Sequence, residues 1–237
     1  MSLVEARSRI ASARAITILT GAGISADSGV PTFRGADGLW HNFRAEDLAT
    51  PEAFERDSRL VWEWYNWRRE ILATKRPNEA HHALVRLEER ANNFHLITQN
   101  VDGLHRLAGS RNLSELHGDI WKVRCTSCRV VTDNREVPLA LLPHCHTCGG
   151  LLRPHIVWFG EALDEQVLAN SFQTVESCDV MIIVGTSGLV YPAAMLTPAA
   201  KANHAFVIEI NLDPTPHSSV VSLSLQGRAK DIVPLLL

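Results

Sequence analysis

Four short runs rich in Ile, Val and Leu, each closed by a cluster of small polar residues, constrain the fold of this chain most tightly. Ala15-Ile-Thr-Ile-Leu-Thr20 leads into Gly-Ala-Gly-Ile-Ser-Ala, and Phe94-His-Leu-Ile-Thr98 into Gln-Asn-Val-Asp-Gly. Val180-Met-Ile-Ile-Val184 leads into Gly-Thr-Ser-Gly, and Phe206-Val-Ile-Glu-Ile210 into Asn-Leu-Asp-Pro. Apolar runs of this length fit strands covered on both faces of a parallel sheet. Helical patterns lie between them, as in Glu79 to Arg90 and Asp164 to Glu176. The pattern predicts an α/β fold with an open, parallel sheet, whose ligands bind beyond the carboxyl ends of the strands. The polar clusters stand at those ends.

Two stretches interrupt the alternation. Residues 35–76 read as helical and aromatic, with Trp40, Trp62, Trp64, Tyr65 and Trp67, and residues 121–153 hold four cysteines in two pairs. Together they are expected to form a small helical and zinc-ribbon domain, inserted into an α/β sheet domain of residues 1–34, 77–120 and 154–237. The 237 residues, 46% of them apolar, suffice for one large and one small core.

The net charge of -3 and the absence of a clustered basic face argue against nucleic acid as a partner. No apolar run approaches the roughly 20 residues that cross a bilayer. Arg7, Arg9 and Arg14 raise the question of a transit peptide, but Glu5 and the core strand beginning at Ala15 favour a short first helix. Five cysteines, four of them in close pairs, do not resemble a secreted disulfide framework. A cytoplasmic monomer is expected.

Gly21-x-Gly23-x-x-Ala26 directly after a strand matches the phosphate-binding turn of dinucleotide folds, where glycine lets the backbone approach a pyrophosphate. Alone, the same turn can be purely structural. A hydride-transfer enzyme needs a second strand ending in an acidic residue about 20 positions on. Here that region is the loop Pro31-Thr-Phe-Arg-Gly-Ala-Asp-Gly-Leu-Trp40, which disfavours an ordinary dehydrogenase.

Cys125-x2-Cys128 and Cys145-x2-Cys148, separated by the 16 residues 129–144, have the spacing of a four-thiolate structural zinc site. Four thiolates close the coordination shell, so this metal holds the fold and takes no part in chemistry. Cys178, just before an apolar run, reads as a small buried hydrophobe.

The ordered set of motifs resembles the sirtuin family. It comprises Gly21-Ala-Gly-Ile-Ser-Ala-Asp-Ser-Gly-Val-Pro-Thr-Phe-Arg34, Thr98-Gln-Asn-Val-Asp-Gly-Leu-His105 and Glu115-Leu-His-Gly118. The paired cysteines follow, then Val157-Trp-Phe-Gly-Glu161, Gly185-Thr-Ser187 and Asn211-Leu-Asp213. The resemblance implies a Rossmann-like domain plus the small zinc domain, with one structural zinc, and NAD consumed as co-substrate in the cleft between them. Gly21, Ala22, Gly23 and Ala26 then match the loop around the NAD phosphates, and Thr32, Phe33, Arg34 and Trp40 the covering loop. Gln99, Asn100, Val101 and Asp102 match the nicotinamide pocket. Gly185, Thr186, Ser187, Asn211, Leu212, Asp213 and Ala229 match contacts to the adenosine half. His117 matches the catalytic histidine, with Asn100 and Asp102 beside it. Val157, Phe159, Gly160 and Glu161 match the strand against which an acyl-lysine protein lies as an added β-strand. Taken singly, His117 reads as an ordinary histidine and Asn100 or Asp102 as an Asx-turn. His81 and His82 read as structural residues at a helix start after Asn78.

The implied reaction breaks the nicotinamide–ribose bond. The acyl-lysine carbonyl oxygen attacks the ribose C1′ to form an alkylimidate. A neutral histidine then deprotonates a ribose hydroxyl, and water releases lysine and 2′-O-acyl-ADP-ribose.

Tyr65 and Arg68 stand three apart in Trp62-Glu-Trp-Tyr-Asn-Trp-Arg68-Arg69, on one helical face. A guanidinium fork with a phenol suits a carboxylate. By spacing alone the pair reads as a surface helix with Arg68 facing Glu63 or solvent. The resemblance, to the class III branch, reverses that and implies removal of succinyl, malonyl and related groups, with acetyl a poorer substrate. Deacetylation and mono-ADP-ribosyl transfer on the same fold are the alternatives, and a non-catalytic zinc-ribbon binding module is the third.

Overall fold

The computed structural model describes residues 3–31 and 44–237. Strands β1 (Ala15–Thr20), β2 (Asn93–Thr98) and β3 (Leu113–Glu115) form half of a six-stranded sheet. β4 (Gly118–Cys125), β5 (Val131–Asp133) and β6 (Leu152–Ile156) form a second sheet of their own, in the order β5-β4-β6. β7 (Val180–Val184), β8 (Phe206–Asn211) and β9 (Leu223–Gln226) complete the large sheet, in the order β3-β2-β1-β7-β8-β9. Every pairing in the large sheet is parallel, and both in the small one are antiparallel.

The helices are α1 (Leu3–Ser12), α2 (Ala22–Ala26), α3 (Ala45–Leu48), α4 (Pro51–Arg56), α5 (Ser58–Ala73) and α6 (Glu79–Arg90). After them come α7 (Leu104–Ala108), α8 (Glu165–Ser177), α9 (Leu196–Ala202) and α10 (Ala229–Ile232). One face of the large sheet packs Ile16, Ile18 and Ile182 against α1, α6 and α10; the other packs Leu19, Ile97 and Ile183 against α8 and α9. Burial of both faces explains why its strands are uniformly apolar rather than alternating. Asn78 caps α6 by accepting from Ala80 N–H at 3.0 Å, and the His81 ring accepts in return from Asn78 N–H. That is the structural role read for His81.

The small module has a separate core in which Trp62, Trp64 and Tyr65 of α5 meet Ile120, Trp121 and Val123 of β4. β4 starts at Gly118, three residues ahead of the aromatic that opens the cysteine segment. No helix among the described residues is long and apolar enough to cross a membrane.

The chain begins in the middle of the large sheet, builds outward through β2 and β3, then returns to place β7 on the other side of β1. The loops after β1 and β7 therefore leave in opposite directions, which is where open α/β sheets leave a crevice.

Candidate active site

Backbone contacts lock the two diverging loops together. Gly21 N–H donates to Val184 O at 3.0 Å and Gly23 N–H to Gly185 O at 2.8 Å. A Cβ on Gly23 would stand 2.6 Å from the Gly185 Cα, and one on Gly185, at φ +61°, would stand 2.5 Å from Ile24 N. The glycines of the phosphate-type turn are thus required by loop-on-loop packing as well as by any ligand. Ala22 and Ala26 are half-buried on α2, and Ala229 is buried where α10 begins.

Side chains from four strand ends converge on this point. Gln99 Nε2 donates to Thr186 Oγ1 at 2.8 Å, and Asn211 Nδ2 to Thr186 O at 2.9 Å. Asn100 Nδ2 donates to Gly21 O at 3.0 Å and approaches Ser25 Oγ at 3.3 Å. Asp102 is buried; its carboxylate accepts from Ser25 Oγ at 2.7 Å and from Leu104 N–H at 2.8 Å. The second contact is the Asx-turn geometry, so Asp102 shapes its loop as well as the pocket. Burial raises the Asp102 carboxyl above its ordinary range, against the Leu104 and Ser25 hydrogen bonds and the charge of Arg68. Val101 accepts Ile120 N–H and ties this loop to β4. Ser187, Leu212 and Asp213 are exposed at the rim.

Ser25 is the hub that sequence reasoning passed over. It contacts Asn100, Asp102 and, at 3.5 Å, His81. The signal was there, since Ser25 lies inside the glycine motif. His105, which meets Thr20 Oγ1 at 2.9 Å and packs its ring, tilted, 4.8 Å from that of His81, extends the same buried polar layer.

His117 sits just ahead of β4, with its carbonyl held by Val157 N–H at 2.9 Å. Its Nδ1 lies 2.9 Å from Gln99 O. A carbonyl only accepts, so Nδ1 carries the hydrogen and Nε2 keeps its lone pair. Burial lowers the His117 pKa, which the Gln99 contact partly opposes. The result is a neutral imidazole oriented as a proton acceptor.

Tyr65 and Arg68 lie on α5, but not on an open surface. Tyr65 is 1% exposed, and its hydroxyl accepts from Trp158 Nε1 at 2.8 Å. Burial pushes its pKa up to about 12, so the phenol stays protonated. Arg68, half-buried, lies 5.1 Å over the Trp64 ring. Its charge acts on both the Tyr65 phenol and the Asp102 carboxyl. Glu63, the alternative partner for Arg68, pairs with Arg59 at 3.0 Å.

Residues 157–161 correct an expectation. They do not form a strand but a turn that follows β6, with Phe159 and Gly160 exposed. Glu161 points inward, bidentate to Arg153 at 2.6 and 2.9 Å and accepting Trp158 N–H at 2.9 Å, so its carboxylate is committed to the turn. Thr32, Phe33, Arg34 and Trp40 lie outside the described residues.

The Sγ atoms of Cys125, Cys128, Cys145 and Cys148 all lie within 4.8 Å of one another. Ser127 and Cys128 N–H groups point at Cys125 Sγ from 3.4 Å, as expected around a thiolate ligand. This donor set fits a structural zinc and closes its shell. Cys178 is buried away from it, as read.

Residues 21–192 match the model of the Sir2 family. The chain belongs to the Sir2 family. This sirtuin is 53% identical over 215 residues to the NAD-dependent protein deacylase of Aquifex aeolicus, covering 90% of each chain. Its fold superposes with TM-score 0.94 on a Sir2 homologue solved as an NAD complex, at 46% identity over 98% of this chain and 91% of that one. It also matches a Sir2 structure with a p53 peptide and NAD+, at TM-score 0.87 and 29% identity, over 98% of this chain and 96% of that one.

Proposed function

We propose that this sirtuin is an NAD-dependent protein-lysine deacylase that prefers acyl groups ending in a carboxylate, succinyl and malonyl above acetyl. The deacylase reading is supported by relatives that carry that name at about half identity over nearly their whole length. The acyl preference rests on one observation: a half-buried Arg68, one helical turn from a buried, protonated phenol, whose charge acts on that phenol and on the Asp102 carboxyl.

NAD, when bound, supplies the ribose carbon that receives the acyl oxygen. Asn100 and Asp102 are placed to orient the departing carboxamide, and fixed dipoles of this kind are typically worth several kcal/mol where water is excluded. His117, its Nδ1 hydrogen given to Gln99 O, offers Nε2 to take a proton from a ribose hydroxyl. An acyl-lysine protein lies along the turn at 157–161 by backbone pairing. The N–H groups of Val157, Trp158, Phe159 and Glu161 are already given to acceptors within the protein. The segment therefore offers a peptide mainly its carbonyl oxygens.

With NAD and matched peptides, succinyl-lysine is expected to turn over faster than acetyl-lysine. Arg68→Met is expected to lower the succinyl-to-acetyl ratio of kcat/KM about tenfold or more, the worth of a charge-assisted hydrogen bond. An unchanged ratio would remove the carboxylate reading and leave the deacylase one.

A further inference from the structure

Trp158 stands between two residues read as peptide contacts, yet its side chain turns away from them. It is 2% exposed and enclosed on all sides. Arg153 places its guanidinium 3.3 Å over the indole, and the Phe54 ring lies 5.2 Å away. The backbone is clamped by Glu161, which accepts Trp158 N–H at 2.9 Å and returns its own N–H to Trp158 O at 3.0 Å. Arg153 holds that same carboxylate with two hydrogen bonds. This cage fixes the direction of one polar group, the indole N–H, which meets Tyr65 Oη at 2.8 Å.

An indole N–H only donates. The Tyr65 oxygen must accept it, and the phenol hydrogen, which lies in the ring plane, is turned to the opposite side of the C–O bond. Among the described residues, no acceptor takes that hydrogen. Arg68, the charge that acts most strongly on the phenol, is a donor as well. On that side the phenol presents a hydrogen and no lone pair. A carboxylate, which only accepts, satisfies it; an acetyl methyl does not. A phenol free to rotate could instead offer its oxygen and lose that discrimination.

We infer that Trp158 is a positioning residue for acyl specificity: its N–H occupies the accepting side of the Tyr65 hydroxyl and makes that hydroxyl an obligate donor toward an anionic acyl tail. The inference rests on the acyl reading given above and assigns it a second layer. Arg153 and Glu161 act one step further back, by holding the indole in place.

The test uses the full-length, zinc-loaded protein with NAD and matched succinyl- and acetyl-lysine peptides. Trp158→Phe removes the N–H and keeps a ring under Arg153. The succinyl-to-acetyl ratio of kcat/KM is expected to fall about 5- to 10-fold, the worth of one net hydrogen bond. In a Tyr65→Phe background the same substitution is expected to change the ratio no further, because the group being oriented is gone. Should Trp158→Phe fold poorly, benzothienylalanine at position 158 replaces the N–H by sulfur with almost no change of shape and makes the same comparison.

A ratio that holds in these variants while Arg68→Met lowers it overturns the role of Trp158 and spares the acyl reading. So does a full additive drop in the double variant. A ratio indifferent to Arg68→Met as well overturns both.

Discussion

Burial sets the protonation state of the histidines around the active site, and this gives the enzyme a definite pH signature. In the proposed reaction His117 takes a proton as a neutral base, and burial holds its pKa below the ordinary 6.5. Its competent form is lost only as pH falls through that lowered value. The acid limb of kcat/KM is therefore expected below pH 6.5, and His117→Tyr should abolish turnover in a protein that remains folded. A limb centred above 6.5 would point to another base. His81, pushed down to about 4 by burial, and His105, held well below its ordinary value by burial, add a stability term. The unfolded chain takes up protons near pH 6.5 while these folded imidazoles stay neutral, so their contribution is intact above about 6.5 and is lost as pH falls below it. His81 alone is expected to cost about 3 kcal/mol of stability by pH 4, readable as a falling denaturant midpoint. The lowered pKa values were not legible in the sequence, because a burial-driven shift depends on neighbours far along the chain.

Helix α5 carries Tyr65 and Arg68 on one side and is bolted to the small module by the other. Trp62 Nε1 donates to Leu152 O at 3.0 Å and Asn66 Nδ2 to Leu139 O at 2.7 Å. Arg69, 1% exposed, donates to Ile120 O and Asn134 O at 2.7 Å and to Glu136 O at 3.0 Å. Burial lowers its pKa to about 10, still high enough to remain charged. Arg69→Met would strand those carbonyls, and it is expected to destabilise the protein by about 3 kcal/mol or more in denaturant unfolding. A loss under about 1 kcal/mol would mean that water replaces the guanidinium. Two arginines adjacent in sequence thus have unrelated work. Periodicity placed Arg68 and Tyr65 on one face, but it did not show that Arg69, not Arg68, anchors the helix to the small module.

Across the whole molecule, the cysteine cluster stabilises the sheet on which α5 rests. Cys125 ends β4, and Leu152, which accepts from Trp62, begins β6. Stripping the metal with a strong chelator under mild denaturation is expected to release one zinc per chain. Tryptophan emission should shift to the red as Trp62, Trp64 and Trp158 gain water, and deacylation should be lost. Full activity in metal-free protein would uncouple the cluster from the acyl site. The domain that carries the NAD-type loops depends on a different set of contacts, the β1 and β7 turns that interlock through Gly21, Gly23 and Gly185.

The elements legible in the sequence were those whose physics is local. Strands buried on both faces read as apolar runs, Asn78 announced a helix start, and two Cys-x2-Cys pairs announced a metal cluster. The family motifs also marked which loops meet at the crevice. Tertiary structure alone decided what each polar group in those loops does. It made Ser25 a hub, turned Glu161 inward to Arg153, replaced an expected strand by a turn, and set Trp158 against Tyr65, 93 positions away. A buried hydrogen-bonding group must find a partner wherever the fold supplies one, and that partner is invisible until distant segments are packed together.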